Sequence, residues 1–317
     1  NLVLRNNSAL QNGGGMFNDN SFHTLDNLVF ENNYASFYGG GISSDGGGGT
    51  MSISGSHFIK NSASNGGGIF LFKTTQIFIK SSIFVGNSAV NEGGGINHDD
   101  TYGNPFITNC TFYENTAGAE GGGLYNWGLP STIINTVFWK NEKAGSTDIL
   151  GADIKDGSGA STVQHSLTQE NSAFLSGNGI INNQAPLFVD EANIKGADGI
   201  YGTADDGLRL MTGSPVLDMG TFTGISHTED ILGARFINEP DIGAYEQPCP
   251  SLNSISVVPD FNNQTRTVAR KQTISAANSI NPVSNIYYQA GQSILLNPGF
   301  ETIGQNLFEA KIDTACP

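Results

Sequence analysis

The chain has 317 residues, and its 29 acidic and 14 basic side chains give a formal net charge of −15 at pH 7. No run of Lys and Arg is present that would neutralise phosphates, so the composition argues against nucleic-acid binding. The longest apolar runs, such as Gly68–Phe72, are far too short to cross a bilayer, and we therefore expect no transmembrane segment.

A Gly-Gly-Gly triplet is the most regular feature of the first half of the chain. Successive triplets start 26, 27, 27 and 28 residues apart, and an apolar residue follows each one. The triplets are Gly13–Gly15, Gly39–Gly41, Gly66–Gly68, Gly93–Gly95 and Gly121–Gly123. A fixed period of this length is typical of solenoid proteins, in which one repeat forms one coil.

A second motif, Phe followed three positions later by Asn, runs in phase with the triplets at spacings of 28, 26, 28 and 26 residues. Stacked coils are expected to align its phenylalanines in one aromatic file: Phe30, Phe58, Phe84, Phe112 and Phe138. They are also expected to align its asparagines, with one weaker sixth copy, in one amide ladder: Asn7, Asn33, Asn61, Asn87, Asn115 and Asn141.

Short alternating patterns such as Met51–Ser54 and Ile77–Lys80 indicate strands with one buried face, and no window has the period of a helix. Parallel strands joined without helices require a coil that winds back above itself, with coils about 4.8 Å apart. We therefore predict an all-β fold. Residues 1–247 form a right-handed parallel β-helix (a β-solenoid) of about 26–28 residues per coil, and residues 248–317 form a small β-stack domain.

The predicted β-helix resembles known bacterial repeats. The pattern Asn-Ser-Ala followed by Gly-Gly-Gly-Ile, over about residues 1–150, is similar to the β-helix repeats of polymorphic outer-membrane proteins. Residues 150–247 resemble the choice-of-anchor Q region of secreted bacterial proteins in the segments Ala185–Asp190, Gly199–Leu210, Gly213–Gly220 and Pro240–Glu246. This resemblance implies that residues 150–247 are the last, less regular coils, which cap the solenoid.

Residues 248–317 carry a shorter repeat. Ala277–Ile280, Gly291–Ile294 and Gly304–Leu307 start 14 and 13 residues apart, which predicts three narrow stacked rungs. This segment resembles the three-coathanger stack domain of secreted Bacteroidota proteins. Cys249 and Cys316 at its two ends are expected to form a disulfide in an oxidising compartment. Cys110 lies inside an apolar strand pattern and is expected to be buried and free.

A β-helix hydrolase or lyase needs carboxylates close together on one face, whereas the acids of the regular coils are scattered along the sequence. Only Glu92 and Glu120, each just before a Gly triplet, share a repeat position. This pattern favours a row of polar residues, one per coil, over a catalytic pair. The best catalytic candidates are the base and two carboxylates of one loop, His98, Asp99 and Asp100. Because one loop is not a groove, we expect no catalysis; a polysaccharide lyase or hydrolase is the alternative.

Four acids in a Gly-rich loop are candidates for a structural Ca²⁺ site: Asp190, Asp198, Asp205 and Asp206. Carboxylate and carbonyl oxygens are the ligands that Ca²⁺ prefers. Their spacing does not match an EF-hand loop, so an exposed loop without metal is the other interpretation. No other cofactor is expected.

Three aromatic residues outside the core pattern predict an interaction surface. Tyr113 and Trp139 each follow a core Phe directly and should point outward, as should Trp127. The sequence predicts a non-catalytic, secreted or cell-surface solenoid that acts as an adhesin, a stalk or a subunit of an extracellular assembly. Surface glycans or other proteins are its expected partners. A self-polymerising fibre or sheath protein, which forms a homo-oligomer or filament, is a further alternative.

Overall fold

The computed structural model describes residues 2–19, 21, 23–46, 49–74, 76–99, 103–143, 151–170 and 177–247, together with the strands between 254 and 312. Every regular element in these residues is a β-strand. The described part of the chain accordingly has no helix that is long and apolar enough to cross a membrane. The architecture is the all-β parallel β-helix that the repeat predicts.

Each regular coil contributes one strand to each of four parallel sheets. Sheet 1 contains the phenylalanines of the repeat, and sheet 2, with strands of two residues, directly follows the ladder asparagines. The strands of sheet 1 are Leu2–Arg5, Leu28–Glu31, His57–Ile59, Ile83–Val85, Thr111–Tyr113, Val137–Trp139, Leu167–Thr168 and Ile181–Asn182. The strands of sheet 2 are Ser8–Ala9, Tyr34–Ala35, Ser62–Ala63, Ser88–Ala89, Thr116–Ala117 and Glu142–Lys143.

Sheets 3 and 4 complete the coil. Sheet 3 begins directly after each Gly triplet, and sheet 4 leads back to sheet 1. The strands of sheet 3 are Met16–Asp19, Ile42–Asp45, Ile69–Phe72, Ile96–His98, Leu124–Asn126 and Ile154–Asp156. The strands of sheet 4 are His23–Asp26, Thr50–Ser54, Gln76–Lys80, Asn104–Thr108, Thr132–Ile134 and Thr162–Gln164.

The interior of the solenoid is filled by files of similar residues, one per coil. The five repeat phenylalanines form one stack, with ring centroids 5.0, 4.8, 4.6 and 4.6 Å apart and ring planes within 7° of parallel. All five rings are fully buried. Cys110 lies in the same core, free and buried as expected, and this burial raises the pKa of its thiol to about 12.

The asparagine ladder runs along the corner between sheets 1 and 2. At each step, Oδ1 of one Asn accepts hydrogen bonds from the Asn one coil earlier; Asn87 accepts from the backbone N–H and from Nδ2 of Asn61, both at 3.0 Å. The left-handed backbone of this corner belongs to the preceding residue, with φ of 55° at Asn32 and 53° at Glu114. The ladder Asn therefore contributes its side chain to the corner, not a left-handed backbone.

Each Gly triplet satisfies several separate steric requirements, as Gly39, Gly40 and Gly41 show. Gly39 has a φ of +66°, which residues with a Cβ rarely adopt. A Cβ on Gly40 would lie 2.5 Å from the backbone oxygen of Ser62 in sheet 2, and one on Gly41 would lie 3.1 Å from the Phe58 ring. The triplets are thus structural features of the coil.

Residues 184–247, all of which are described, contain no strand and do not continue the coils. The segment, which we call the arm, folds back along the outside of sheet 1. Its apolar residues include Phe188, Tyr201, Val216 and Ile242, and they pack against the outward side chains of sheet 1 in a second hydrophobic core. The prediction that capping coils extend to residue 247 is therefore wrong beyond residue 183. The apolar outer face of sheet 1 needs a cover, and the arm supplies it.

Buried carboxylates organise the backbone of the arm. Asp241 accepts the N–H groups of Asp218 and Gln247, both at 2.7 Å, and Glu246 accepts those of Ile237 at 2.6 Å and Asp241 at 2.9 Å. Burial raises the pKa of Asp241 to about 8 and that of Glu246 well above its usual range. These acids of the Pro240–Glu246 segment have a structural role.

The strands between 254 and 312 form a second, smaller parallel stack. One sheet contains Ser254–Val257, Thr273–Ala276 and Ser293–Leu296, and another contains Thr265–Arg270, Asn285–Ala290 and Leu307–Ile312. Ser279–Ile280 pairs with Glu301–Thr302.

The coil period of this small stack differs from the predicted one. Partner residues are 19 apart (Ser254 with Thr273) to 22 apart (Asn285 with Leu307), rather than 13 or 14. The repeated motifs coincide with every second strand, Ser279–Ile280, Ser293–Leu296 and Leu307–Ile312, each in a different sheet. Their spacing therefore spans two of the three faces of a coil. Cys249 and Cys316 lie outside the described residues, and their disulfide stays a prediction.

Candidate ligand-binding face

The outer side of sheet 3 is not covered by the arm, and we call it the open face. Its central row consists of the second residue after each Gly triplet, aligned coil by coil: Phe17, Ser43, Phe70, Asn97, Tyr125 and Lys155. Phe17 is 48% exposed, whereas Ser43, Phe70 and Asn97 are buried, so the row is open to solvent at its first coil and covered in its middle. An aromatic residue therefore occupies every second coil from the first to the fifth.

Two further aromatic residues widen this row. The Tyr38 ring stacks on Phe70 with centroids 4.3 Å apart and planes inclined by 24°. The Trp127 ring is nearly parallel to Tyr125, at 6.4 Å and 6°. Tyr38 is 38% exposed and Trp127 is 59% exposed. The open face therefore carries aromatic platforms at Phe17, at the Tyr38–Phe70 pair and at the Tyr125–Trp127 pair.

Carboxylates lie between the second and third platforms. Glu92 and Glu120 pair in adjacent coils, as their shared repeat position indicates. Lys143 and Lys155 lie 3.7 and 3.9 Å from the Glu120 carboxylate and balance its charge. Partial burial, and then the charge of Asp99, raise the pKa of Glu92. Glu92 and Asp99 are thus close enough to interact, although their positions in the sequence suggested scattered acids.

The predicted catalytic loop is not assembled as a site. His98 lies on the inner side of sheet 3, is fully buried, and its Nδ1 is 2.6 Å from Oδ1 of Asn126. Asp99, the next residue, is exposed on the outer side because successive side chains of a strand point to opposite faces. Asp100 lies outside the described residues. The structure separates the base from the carboxylate that was expected to accompany it.

The predicted aromatic interaction surface is wrong at two of its three residues. Tyr113 points outward but is only 1% exposed, because Phe188 of the arm packs on its ring and Glu191 of the arm accepts its hydroxyl at 2.9 Å. Trp139 packs against the same apolar cluster. Trp127 is the member that remains exposed, and it belongs to the open face.

The proposed calcium ligands bond to protein hydrogen-bond donors. Asp190 accepts the N–H of Ala192 at 3.1 Å, and Asp198 accepts that of Ile200 at 2.8 Å. Asp205 and Asp206 likewise accept backbone N–H groups of the arm. Within the described residues, no three His, Cys, Asp or Glu side chains form a group that could hold a metal ion. Each of the four acids stabilises a turn through these hydrogen bonds, and calcium binding stays a prediction.

The open face has a signal in the sequence that the Gly and Phe-Asn motifs do not contain. The second position after the triplets alternates between aromatic and polar residues over five coils, Phe17, Ser43, Phe70, Asn97 and Tyr125. The electrostatic interaction between Glu92 and Asp99, seven residues apart, depends on how the chain turns through the Gly triplet, and no simple spacing rule indicates it.

Comparison with known proteins supports the repeat and nothing beyond it. Residues 109–126 match the Chlamydia polymorphic membrane protein repeat. The matched residues include Phe112 of the stack, Asn115 of the ladder, a Gly triplet and Tyr125 of the open face. No curated protein and no solved structure matches the chain significantly. The match therefore identifies one coil of the solenoid as similar to this repeat and does not extend to the arm.

Proposed function

We propose that this protein is a cell-surface β-solenoid that binds an extended, uncharged glycan along its open face, as an adhesive rather than a catalytic element. The observation that carries this proposal is a set of exposed aromatic rings at the coils of Phe17, Phe70 and Tyr125, on a sheet that the arm does not cover. The exposed rings are Phe17 itself, Tyr38, which stacks on the buried Phe70, and Trp127, which stacks on Tyr125. Exposed aromatic residues in one row are typical of an interaction surface.

The spacing of the platforms suits a polymer that lies along the solenoid axis. Coils are about 4.8 Å apart, so platforms on alternate coils are separated by about 9.6 Å. This distance is comparable to two sugar units of an extended chain. The apolar C–H faces of alternate sugars would then stack on the rings of Phe17, Tyr38 and Trp127.

The charges of the open face favour a neutral ligand. The carboxylates of Glu92 and Asp99 accept hydrogen bonds from sugar hydroxyls, whereas they repel a carboxylate or sulfate group. The net charge of −15 adds a long-range repulsion against anionic polymers. A neutral polysaccharide is therefore the glycan class that this surface fits best.

A location at the cell surface agrees with several features of the chain. The matched repeat is that of polymorphic membrane proteins. The resemblance of residues 150–247 to a choice-of-anchor Q region, and of residues 248–317 to a three-coathanger stack, supports secretion by a bacterium of the Bacteroidota. The predicted disulfide between Cys249 and Cys316 requires the same oxidising environment.

The proposal is tested by calorimetric titration of the whole chain with neutral hexasaccharides of glucose, xylose and mannose. We expect one of these series to bind, and the double variant Phe17→Ala, Trp127→Ala to weaken its binding at least tenfold. Phe78→Ala is the matched control, because Phe78 is 39% exposed but lies on sheet 4. Absence of binding in all three series, or an equal loss in the control, overturns the proposal.

Hydrolysis of the bound glycan is a second candidate function, and the electrostatic interaction between Glu92 and Asp99 favours it. A glycosidase needs one carboxyl group that stays protonated beside one that is ionised, and partial burial, followed by the charge of Asp99, raises the pKa of Glu92. Release of reducing ends from a bound hexasaccharide would support this function if both Glu92→Gln and Asp99→Asn abolish it. Binding without release supports the adhesive function.

A further inference from the structure

The arm encloses a second candidate site, well separated in the fold from the open face. Where residues 226–233 of the arm pass the corner between sheets 4 and 1, they leave a cleft of about 750 Å³. The hydroxyl of Ser81 donates to the backbone oxygen of Glu229 at 2.9 Å and attaches the arm to the corner. The volume lies in the range of small-molecule sites, about 300–1,000 Å³.

The lining of the cleft is mainly polar and comes from both walls. The solenoid contributes Thr24, Asp26, Ser54 and Lys80, and the arm contributes Ser226, His227 and Thr228. One oxygen of Asp26 accepts the Ser54 hydroxyl at 2.6 Å, which fixes the orientation of the carboxylate at the wall.

Lys80 differs from the other lysines near carboxylates. Lys140, Lys143, Lys155 and Lys195 each form an ion pair, whereas among the described residues no carboxylate forms an ion pair with the Lys80 ammonium. Three carboxylates also line the cleft, Asp26, Glu229 and Asp230, but none of them forms an ion pair with Lys80. An ammonium group without an ion-pair partner can pair with an anionic group of a ligand. The cleft therefore offers one unpaired positive charge beside carboxylate acceptors such as Asp26.

Two histidines of the cleft have unused hydrogen-bonding capacity. Neither ring nitrogen of His227 or His57 has a hydrogen-bond partner in the described structure. His57 is only 2% exposed, and buried polar atoms without partners are rare in proteins. Burial, and then the charge of Lys80, lower the pKa of His227 to about 4, which places the ring beside Lys80 and keeps it neutral at pH 7. A neutral imidazole can donate one hydrogen bond and accept another.

We propose that this cleft binds a sugar acid, a small hydroxyl-rich ligand with one carboxylate. Lys80 pairs with the ligand carboxylate and His227 donates a hydrogen bond to it. Asp26, Ser54 and Thr228 bond to the ligand hydroxyls. The proposal does not depend on the open face, because the two sites share no residue and one is proposed to bind a neutral ligand and the other an anionic one.

The test uses the whole chain at pH 7 and three probes that separate the two parts of the ligand: D-glucuronate, D-glucose and acetate. Ligand-detected and protein-detected NMR titrations give the dissociation constants. We expect glucuronate to bind at least tenfold more tightly than glucose or acetate. Equal binding of glucuronate and acetate, or of glucuronate and glucose, overturns the proposal, as does absence of glucuronate binding.

Substitutions then locate the site. Lys80→Gln should weaken glucuronate binding at least tenfold, and Asp26→Asn should weaken it less. Lys73→Gln is the matched control, since Lys73 lies over the Phe72 ring beside sheet 3 and should not affect binding. A Lys80→Gln variant that keeps the wild-type melting temperature and the wild-type affinity contradicts the assignment. Glucuronate binding that persists in the Phe17→Ala, Trp127→Ala variant distinguishes this site from the open face.

Discussion

The outer faces of sheets 1 and 3 have the same backbone architecture, but the arm covers the face of sheet 1 and does not cover that of sheet 3. On sheet 1, the outward apolar side chains of Ile59, Val85 and Tyr113 follow one another in successive coils, and the arm covers them. On sheet 3, aromatic residues alternate with Ser43 and Asn97, and the rings that stay exposed in and beside the row are Phe17, Tyr38 and Trp127. The continuous apolar row belongs to the second core, whereas the interrupted row leaves separate exposed rings that are available to a ligand.

The energetics of burial explain this difference. Covering an apolar side chain contributes roughly 1.5–3 kcal/mol, so a file of consecutive apolar residues offsets the conformational entropy of ordering the arm. A polar residue on a covered face adds less, because it needs a hydrogen bond from the cover, as Thr111 of sheet 1 receives from the Ala244 N–H of the arm. A side chain that points outward from the coil is therefore not sufficient to identify a binding face. Tyr113 points outward, but the arm buries it.

The largest expected effect is the difference in stability between the two faces. Ile83→Ala removes a fully buried side chain beneath the arm and should lower the free energy of unfolding by about 2–5 kcal/mol. Phe17→Ala on the open face should change it by less than about 0.5 kcal/mol. Urea unfolding of both variants measures this, and similar losses at the two positions would contradict the assignment of covered and open faces.

The arm should also lose stability as the pH rises from 6.5 to 8.5. The folded-state pKa of Asp241 is raised to about 8, so its contribution is complete below the unfolded value near 3.8 and is lost as the pH passes 8. His57 and His227, with pKa values lowered to about 4, act in the opposite direction and only below about 6.5.

The slope of stability against pH isolates this effect. Each proton released on unfolding lowers the free energy of unfolding by about 1.4 kcal/mol per pH unit. Asp241→Asn should flatten the slope between pH 6.5 and 8.5, whatever its effect on absolute stability. Fluorescence of Trp139, which packs against the arm cluster, follows the transition. An unchanged slope in the variant would argue that Asp241 is ionised in the folded protein.

The smallest effect is expected for the ion pairs at the edge of the open face. Glu120→Gln removes the partner of Lys143 and Lys155, which lie 3.7 and 3.9 Å away. Because these groups are partly exposed, the variant should lose no more than about 1 kcal/mol in urea unfolding. A larger loss would mean that Glu120 organises the sheet 3 surface rather than only balancing its charge.

Part of the candidate site could be predicted from the sequence. Trp127 was identified as an exposed aromatic residue, and the shared position of Glu92 and Glu120 was visible in the repeat. The separation of His98 from Asp99 also follows from strand alternation once the strand is placed. The electrostatic interaction between Glu92 and Asp99 and the cleft beside Lys80 depend on turns and on the arm, which have no periodic signature.

The sequence by itself determined the coil, because each coil repeats its predecessor. The Gly triplets, the Phe stack and the Asn ladder interact with their equivalents one period away, so spacing alone indicates which residues meet. Only the tertiary structure decided which faces are covered. The arm meets sheet 1 across large sequence separations, as when Ala244 donates its N–H to the Thr111 hydroxyl at 3.1 Å, and such contacts follow from shape and burial rather than from any repeat.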